Sequence, residues 1–313
     1  MAKEFETIDE LIDLLESRNV ITDENTKTQL MRESYYAVVN GYKKPFLDTQ
    51  AMKGSADDIF LKGTRFEWIY SLFLFDRDLR SLTFKYIAKA EAIMKNAVVY
   101  SFCKTNPGPN DYFATSSYAS AKEMLFAKGF SGNRAKIHQT NLSRLMSVLN
   151  KKVAGSDGKA FISHYVNRYG FVPLWVLAND LTFGHIAHFY QLQRRSVQNS
   201  TCKTIVSVSG SNKKITPQEL LHAFSVLVDF RNLCAHDERL YCAKTGRSHD
   251  IAFKDMVERM VPILPQEELF DFFNELSQLF DTYKMVMRIV NPNSMLKEMG
   301  IPTVESLTAE QER

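Results

Sequence analysis

Residues 65–105 decide the fold, and they read RFEWIYSLFLFDRDLRSLTFKYIAKAEAIMKNAVVYSFCKT, without a glycine or a proline. Large apolar side chains recur there at intervals of three and four residues, which is the periodicity of a helix that buries one face. The run Asn106-Pro107-Gly108-Pro109 follows and stops a helix. The pattern therefore predicts one long helix, or two helices broken near Thr83 and Phe84.

Helical patterns continue on both sides of this stretch. Thr7 and Glu10 have the spacing of a capping box, and so do Thr216 and Glu219, with Pro217 at a first helical position. Further helices are predicted at residues 22–40, 120–128, 133–152, 159–169, 173–193, 216–242 and 266–290, with a polar loop at 48–63. Residues 196–212 contain the β-branched run TIVSV and are expected to form either a short β-hairpin or a flexible loop. The chain is thus expected to be all-α.

Composition excludes several other classes of protein. The 313 residues include only 9 prolines and 13 glycines, too few for the frequent turns of an all-β protein or for a disordered chain. Four cysteines without a CxxC pair argue against a disulfide framework and a zinc ribbon. The N-terminus is charged from Lys3, and no run of about 18 apolar residues exists, so neither a signal peptide nor a membrane span is expected. The predicted location is the cytoplasm.

The net charge of +3 is small but unevenly distributed. Residues 122–168 contain nine basic and two acidic side chains, and residues 181–218 contain five basic side chains and no acid. Residues 250–313 contain twelve acidic and six basic side chains. The positive middle segment either forms an ordinary solvated surface or attracts a polyanion, and we favour the polyanion.

The most informative chemistry lies in DFRNLCAHDERL, residues 229–240. On a helix that runs to about residue 242, Asn232, His236 and Arg239 share one face within an arc of about 60°. Arg231 instead falls among the apolar positions of that helix. A charge there requires a partner because an unpaired buried charge is very costly. As the alternative to a catalytic role, Arg231 is a buried ion-pair anchor to Glu91 or Asp76 on the long helix.

These groups suit the cleavage of RNA. An imidazole titrates near neutral pH and can transfer a proton, and a guanidinium presents a planar fork to phosphate oxygens. An amide can orient a hydroxyl group or the imidazole. Together they let an RNA 2′-hydroxyl attack its own 3′-phosphate. This reaction needs no metal, because the nucleophile is internal and already close.

The spacing of Arg231, Asn232 and His236 resembles the Arg-x4–6-His signature of HEPN ribonucleases, including the polar residue after the arginine. RNLCAHDERL resembles a segment of the Abi-like proteins of bacteria (abortive infection, AbiD/AbiF type). Three more segments match in the order of that family: YYAVVNGYKKPF from Tyr35, FDRDLRSL from Phe75 with Glu91 following, and PLWVLANDLTFGHIAHFY from Pro173. The resemblance extends from about residue 30 to about residue 243.

The resemblance implies an all-α, HEPN-like helical bundle with extra helices, and phage-defence or toxin-like RNA cleavage. One domain is expected over residues 1–313, with N-terminal helices and a loop at 1–64, a helical core with a basic insertion at 65–290, and a tail at 291–313. Under this resemblance Arg231, Asn232 and His236 are catalytic, and Arg239 and Glu91 support them. HEPN domains commonly dimerise and join two Arg–His sets in one cleft, so a homodimer is expected.

RNA is the predicted substrate, and the resemblance also allows a small noncoding RNA as a regulator. The basic middle segment is predicted to contact the RNA backbone. The residues assigned to that contact are Arg144, Lys151, Lys152, Arg194 and Arg195. No cofactor, metal or membrane partner is expected. The alternative function is a non-catalytic HEPN module that binds RNA or another protein.

Other polar and aromatic residues have two interpretations each. His185 and His188 have the spacing of two metal ligands on one helix face, but no third ligand is near in sequence, so packing or RNA contact is expected and no metal site is predicted. Arg77 and Asp78 are expected on a solvated, salt-bridged helix face. The aromatic residues that either stack on bases or, more often, belong to the core are Tyr35, Tyr36, Tyr42 and Phe46.

Overall fold

The predicted long helix forms as a single element in the computed structural model. It is α3 (Phe66–Thr105), 40 residues long and therefore about 60 Å from end to end. It passes through Thr83 and Phe84 without a break. The structure describes residues 5–53, 57–123, 133–155, 159–289 and 292–301.

Helices dominate the rest of the described chain, which confirms the all-α prediction. The other α-helices are α1 (Ile8–Ser17), α2 (Thr26–Glu33), α4 (Arg134–Val153), α5 (Ala160–Tyr169), α6 (Leu174–Leu177), α7 (Phe183–Gln191), α8 (Arg195–Ser209), α9 (Pro217–Ala235), α10 (Phe253–Met260), α11 (Gln266–Thr282), α12 (Lys284–Ile289) and α13 (Pro292–Glu298). Short 3-10 turns lie at Lys44–Phe46, Asp111–Phe113, Thr115–Ser117 and Ala178–Asp180, and a π-helical turn lies at Tyr36–Asn40.

Helix α3 is the centre of the core. Its buried residues include Phe75, Leu79, Tyr86, Ala90 and Val98, each with no exposed surface. Helices α8, α9 and α11 pack along it, and α6, α7 and α12 also contact it. Because neighbours surround α3, its apolar side chains cover more than one stripe of the helix. Within the described residues, no helix has both the length and the apolar composition that a membrane span requires.

Residues 196–209 belong to helix α8, so the prediction of a hairpin or loop over 196–212 was wrong for all but its last three residues. Helix α8 ends at Gly210, which adopts the left-handed conformation with φ +65°. Val197, Thr201 and Ile205 are buried at intervals of four residues, and α8 packs along α3. Burial of this face outweighs the weak helix propensity of β-branched residues, which costs at most about 0.7 kcal/mol each.

The strands of the described chain form a short parallel pair instead of a hairpin. Strand β1 (Val20–Ile21) pairs with β2 (Thr64–Arg65), and β2 leads directly into α3. The pair therefore ties the segment after α1 to the beginning of the central helix. The predicted loop at 48–63 is confirmed for its described residues, which form turns and extended segments.

Three predicted helices are divided in the structure. The helix predicted at 22–40 breaks at Ser34, whose φ of +68° ends α2. Residues 173–193 divide into α6 and α7 because a 3-10 turn precedes Thr182, which caps α7. The described part of the helix predicted at 266–290, residues 266–289, divides between α11 and α12. Residues 120–123 of the helix predicted at 120–128 are not helical and end in a turn, so that prediction was wrong for its described part. Residues 124–128 of that segment and residues 302–313 of the predicted tail lie outside the described residues.

Candidate active site

Helix α9 begins as the sequence predicts. The Thr216 hydroxyl accepts a hydrogen bond from the Glu219 N–H at 3.2 Å, and the Glu219 carboxylate accepts one from the Thr216 N–H at 2.7 Å. The helix then packs against α3, α7, α8 and α10. Its buried apolar residues include Leu220, Phe224, Leu227 and Cys234. Capping and burial together fix the direction in which α9 presents its remaining faces.

The segment from Arg231 to His236 lies at the end of α9 and not in its middle. The helix ends at Ala235, with His236 as its C-cap, so the predicted end near Cys242 was wrong. The next residue, Asp237, is left-handed with φ +55° and turns the chain away from the helix axis. Arg231 and the residues after it therefore occupy the last turns of the helix.

A buried carboxylate on α3 holds the chain after this turn. Asp76, which has no exposed surface, accepts hydrogen bonds from the backbone N–H groups of Leu240 at 3.0 Å and Tyr241 at 2.7 Å. It also accepts from the Tyr42 hydroxyl at 2.7 Å and from the Arg80 guanidinium at 2.9 Å. Burial raises the pKa of Asp76, and these four donors oppose that rise. The segment after α9 is thereby fixed to α3.

This network joins three of the segments recognised in the sequence. Tyr42 belongs to YYAVVNGYKKPF, Asp76 and Arg80 belong to FDRDLRSL, and the two backbone donors end or follow RNLCAHDERL. Asp78 is exposed, as predicted, whereas Arg77 is half-buried and forms the predicted kind of salt bridge, with Glu33 at 3.1 Å. The network itself was missed. Its signal in the sequence is an Asp–Arg pair four residues apart, within one of the most apolar stretches of the long helix.

Arg231 lies at the border of the buried face. Its Nε atom is buried and 3.7 Å from Oε2 of Glu91 on α3, while its Nη1 donates to Oδ1 of Asn232 at 3.3 Å. The Arg231 side chain is 32% exposed and that of Glu91 is 15% exposed. The sequence therefore placed Arg231 too deep, because its neighbours shield only the Nε side. The outer edge of the guanidinium reaches solvent, and Glu91, not Asp76, is the carboxylate beside it.

Asn232 and His236 are both exposed and share one face of α9. The His236 N–H donates to the Asn232 carbonyl at 3.0 Å, so residue 236 keeps the helical register although it caps the helix. No described residue hydrogen-bonds to the His236 ring. Both ring nitrogens are therefore accessible to a ligand from solvent.

Arg239 does not share that helix face, which corrects the sequence prediction. It follows the left-handed turn, and its Nη1 donates to the Gly41 carbonyl at 2.9 Å. A Cβ at Gly41 would lie 4.0 Å from the Arg239 Cδ, so the two segments are in close contact. Arg239 therefore positions the chain after α9 and does not extend the surface formed by Asn232 and His236.

Three of the five residues predicted to contact RNA lie on α4, in two different environments. Arg144 and Lys151 are exposed and seven residues apart, so they share one helix face. Lys152 points inwards, where its Nζ is 3.0 Å from the Asp180 carboxylate and its side chain is 17% exposed. The structure thus separates Lys152 from the exposed pair.

The other two lie at the start of α8. The Arg194 Nε donates to the Tyr118 carbonyl at 3.5 Å, and its guanidinium also donates to the Ser116 carbonyl. Arg195 is half-buried. Because Arg194 binds backbone carbonyls, it secures the segment before α4 as well as contributing charge to the surface.

Of the two histidines on α7, His185 has a structural role. The His185 Nδ1 accepts a hydrogen bond from the Thr182 N–H at 3.3 Å, which completes a capping box. Burial, together with a nearby cation, lowers the pKa of both His185 and His188. In the part of the chain that the structure describes, no three His, Cys, Asp or Glu side chains are grouped as metal ligands.

The aromatic set near residue 40 divides between core and surface. Tyr42 and Phe46 are each 3% exposed and belong to the core, as expected for most of the set. Tyr35 is half-buried, and burial raises its pKa. Tyr36 is 79% exposed, so its ring alone among these four lies largely in solvent.

Comparison with known proteins gives one match. A family model described as Abi-like protein matches residues 28–242, which run from within α2 to just beyond the segment that Asp76 holds. No curated protein and no solved structure matches the chain. The matched region contains every residue of the site described above.

Proposed function

The chain belongs to the Abi-like protein family, and from this premise we propose that it acts in abortive infection as a metal-independent endoribonuclease with a HEPN-type site. The observation that supports this proposal is the arrangement at the end of α9. The His236 imidazole, the Asn232 amide and the solvent-facing edge of the Arg231 guanidinium lie on adjoining surfaces there. Glu91 lies on the buried side of that guanidinium.

The proposed reaction is an attack by the RNA 2′-hydroxyl on the adjacent phosphorus. His236 accepts the hydroxyl proton as the O2′–P bond forms. The P–O5′ bond breaks, and the leaving oxygen takes a proton from a general acid. Arg231 donates to the non-bridging oxygens as negative charge develops on them, and Asn232 orients the 2′-hydroxyl or the imidazole. The products are a 2′,3′-cyclic phosphate and a 5′-hydroxyl end.

Glu91 is the positioning residue in this proposal. It lies 3.7 Å from the Arg231 Nε and also 4.0 Å from Lys95 Nζ, so one shielded carboxylate balances two cations. An arginine side chain has several rotatable bonds, and a carboxylate at its inner edge restricts them. The outer N–H groups are then oriented towards a phosphate before it binds, which reduces the cost of ordering the site.

A homodimer completes the site. One copy supplies one His236, whereas the reaction uses both a general base and a general acid. A two-fold interface places the same surface of each subunit against the other, so the exposed ends of two α9 helices can share one cleft. The exposure of Asn232 and His236 leaves them available for such an interface.

The test is incubation of the purified full chain with RNA in the presence of excess EDTA. Cleavage is expected to continue, and the products are expected to carry 2′,3′-cyclic phosphate and 5′-hydroxyl ends. A DNA strand of the same sequence should stay intact because it lacks the attacking hydroxyl. Loss of cleavage in EDTA, or equal cleavage of DNA, would contradict the mechanism. RNA binding without cleavage would instead indicate a non-catalytic module.

A further inference from the structure

The face of α9 that carries Asn232 and His236 continues towards the start of the helix as a polar stripe. Its members alternate at intervals of four and three residues, which keeps them within an arc of about 80°. They are Gln218, His222, Ser225, Asp229, Asn232 and His236. The first four line a cleft of about 690 Å³ formed by α7, α9 and α10. The cleft and the candidate active site are therefore consecutive parts of one helix face.

Both apolar and polar side chains line the cleft. The apolar ones include Ala187, Leu221, Phe224 and Val228. The polar ones include His188 from α7, His222 and Asp229 from α9, and Arg259 from α10. Small-molecule and cofactor sites commonly have this composition, with apolar walls that bury the ligand and a few polar groups that orient it.

Two of these polar groups, the Asp229 carboxylate and the Arg259 Nε, have no hydrogen-bond partner among the described residues. Asp229 is half-buried, burial raises its pKa, and no described residue hydrogen-bonds or ion-pairs with its carboxylate. The Arg259 Nε is buried and has no acceptor among the described residues. Burial also lowers the pKa of His188 and His222, which favours neutral rings at pH 7. Because shielded polar groups usually have partners, the Asp229 carboxylate and the Arg259 Nε together indicate a ligand.

The chemistry of these polar lining residues matches one nucleobase best. A carboxylate accepts two hydrogen bonds side by side, and guanine presents two adjacent donors, N1–H and N2–H. Guanine also presents two adjacent acceptors, O6 and N7, which an arginine contacts as a fork. In adenine and cytosine a ring acceptor lies beside the amino group, and in uracil the single N–H lies between two carbonyls. Asp229 and Arg259 together therefore favour guanine over the other three bases.

We propose that this cleft binds a guanine base of the RNA strand next to the bond that His236 and Arg231 attack. Asp229 precedes Asn232 by three residues, about 4.5 Å along the helix axis, and His236 by seven, about 10.5 Å. A guanine at Asp229 can thus lie beside the scissile phosphate. This position rests on the proposed function, whereas guanine recognition by the cleft does not require cleavage.

The first experiment tests recognition alone. Isothermal titration of the full chain with guanosine 5′-monophosphate and with adenosine 5′-monophosphate compares two ligands that carry the same phosphate. We expect the guanine nucleotide to bind about tenfold more tightly, the discrimination typical of a good bidentate contact. Asp229→Asn should abolish this preference, and Arg259→Gln should weaken it. Asp271→Asn, the same change at an exposed position on α11, should leave it unchanged.

Equal affinity for the two nucleotides would overturn the proposal, as would an Asp229→Asn protein that keeps the wild-type preference. Thermal unfolding of each variant distinguishes a missing hydrogen bond to the base from an unfolded protein. If Asp229→Asn does not fold, Arg259→Gln still tests whether a cleft residue determines the preference for the guanine nucleotide. The proposed ribonuclease function has its own outcome: a protein that selects the guanine nucleotide yet cleaves no RNA contradicts the enzyme and leaves the guanine site standing.

The second experiment distinguishes a base within an RNA strand from a free nucleotide. Fluorescence anisotropy on the His236→Ala protein measures binding of the RNA pentamers AAGAA, AAAAA, AACAA and AAUAA without cleavage. AAGAA should bind about tenfold more tightly than the other three, and Asp229→Asn should remove only that advantage. If the protein prefers guanosine 5′-monophosphate but binds all four pentamers equally, the claim that the cleft binds a guanine within an RNA strand is contradicted.

Discussion

Asp76 connects parts of the chain that are 164 and 165 positions apart in sequence, through the N–H groups of Leu240 and Tyr241. The same carboxylate binds the Tyr42 hydroxyl and the Arg80 guanidinium. A buried ion pair is stable only when such additional hydrogen bonds satisfy its remaining groups. At the scale of single residues, Asp76 therefore determines where the chain that follows α9 and His236 lies.

Asp76→Asn should destabilise the protein by about 3–5 kcal/mol, the usual cost of leaving one member of a buried pair without its partner. Urea unfolding measures the loss. Asp78→Asn is the matched control, because Asp78 is exposed and accepts one hydrogen bond, from the Tyr283 hydroxyl at 2.7 Å. The control should lose about 1 kcal/mol or less. Equal losses in the two variants would show that the buried network does not stabilise the fold.

The same residues show how far the sequence predicts the site. The spacing of Asn232 and His236 depends only on helical periodicity, and both do lie on one face. The end of the helix at Ala235 depends on a carboxylate from a distant segment and on the backbone of Asp237, which periodicity does not encode. Arg239 was misplaced for that reason.

At the scale of elements, α3 and α8 show when local sequence decides structure. Helix α3 has long apolar periodicity and no helix breaker, so sequence and tertiary burial agree on it. In α8 the β-branched residues favour a strand locally, but the buried stripe from Val197 to Ile205 packs along α3 as a helix. Tertiary burial overrides local propensity there, which a single-sequence pattern cannot reveal.

The exposed face of α4 is predicted to bind the RNA backbone. Lys152 is paired with Asp180, so charge reversal there would disturb the fold, and the informative pair is Arg144 with Lys151. The double variant Arg144→Glu, Lys151→Glu should weaken RNA binding. It should also make the slope of log affinity against log salt shallower by about 1.4, or about 0.7 for each single-strand phosphate that the variant no longer neutralises.

Anisotropy titrations at several salt concentrations measure that slope. The matched control is Lys53→Glu, Lys62→Glu, which changes the net charge equally at exposed positions of the 48–63 loop. The control should shift the affinity slightly and leave the slope unchanged. If both double variants reduce the slope equally, net charge and not the α4 face accounts for the attraction.

At the scale of the whole molecule, three segments recognised in the sequence converge on one end of α9. The central helix supplies Glu91 beside Arg231 and Asp76 beneath the chain that follows. The Gly41 carbonyl, from the N-terminal part, binds Arg239. The division of the chain at residues 64 and 290 stays a prediction, as does the homodimer. The fold leaves His236 exposed at a surface that a second copy can cover.

The most direct test of the central claim is the single-turnover rate at which the protein cleaves an end-labelled RNA. The rate is measured for wild type, His236→Ala and His164→Ala, and light scattering gives the mass of each protein. We expect His236→Ala to lower the rate by at least about 100-fold, the contribution of a general acid–base group, and to keep the mass of a dimer. His164, exposed on α5, is the matched control, and its variant should cleave at the wild-type rate. A His236→Ala protein that cleaves as fast as wild type would contradict the assignment of the site, and an active protein with the mass of a monomer would contradict the shared cleft.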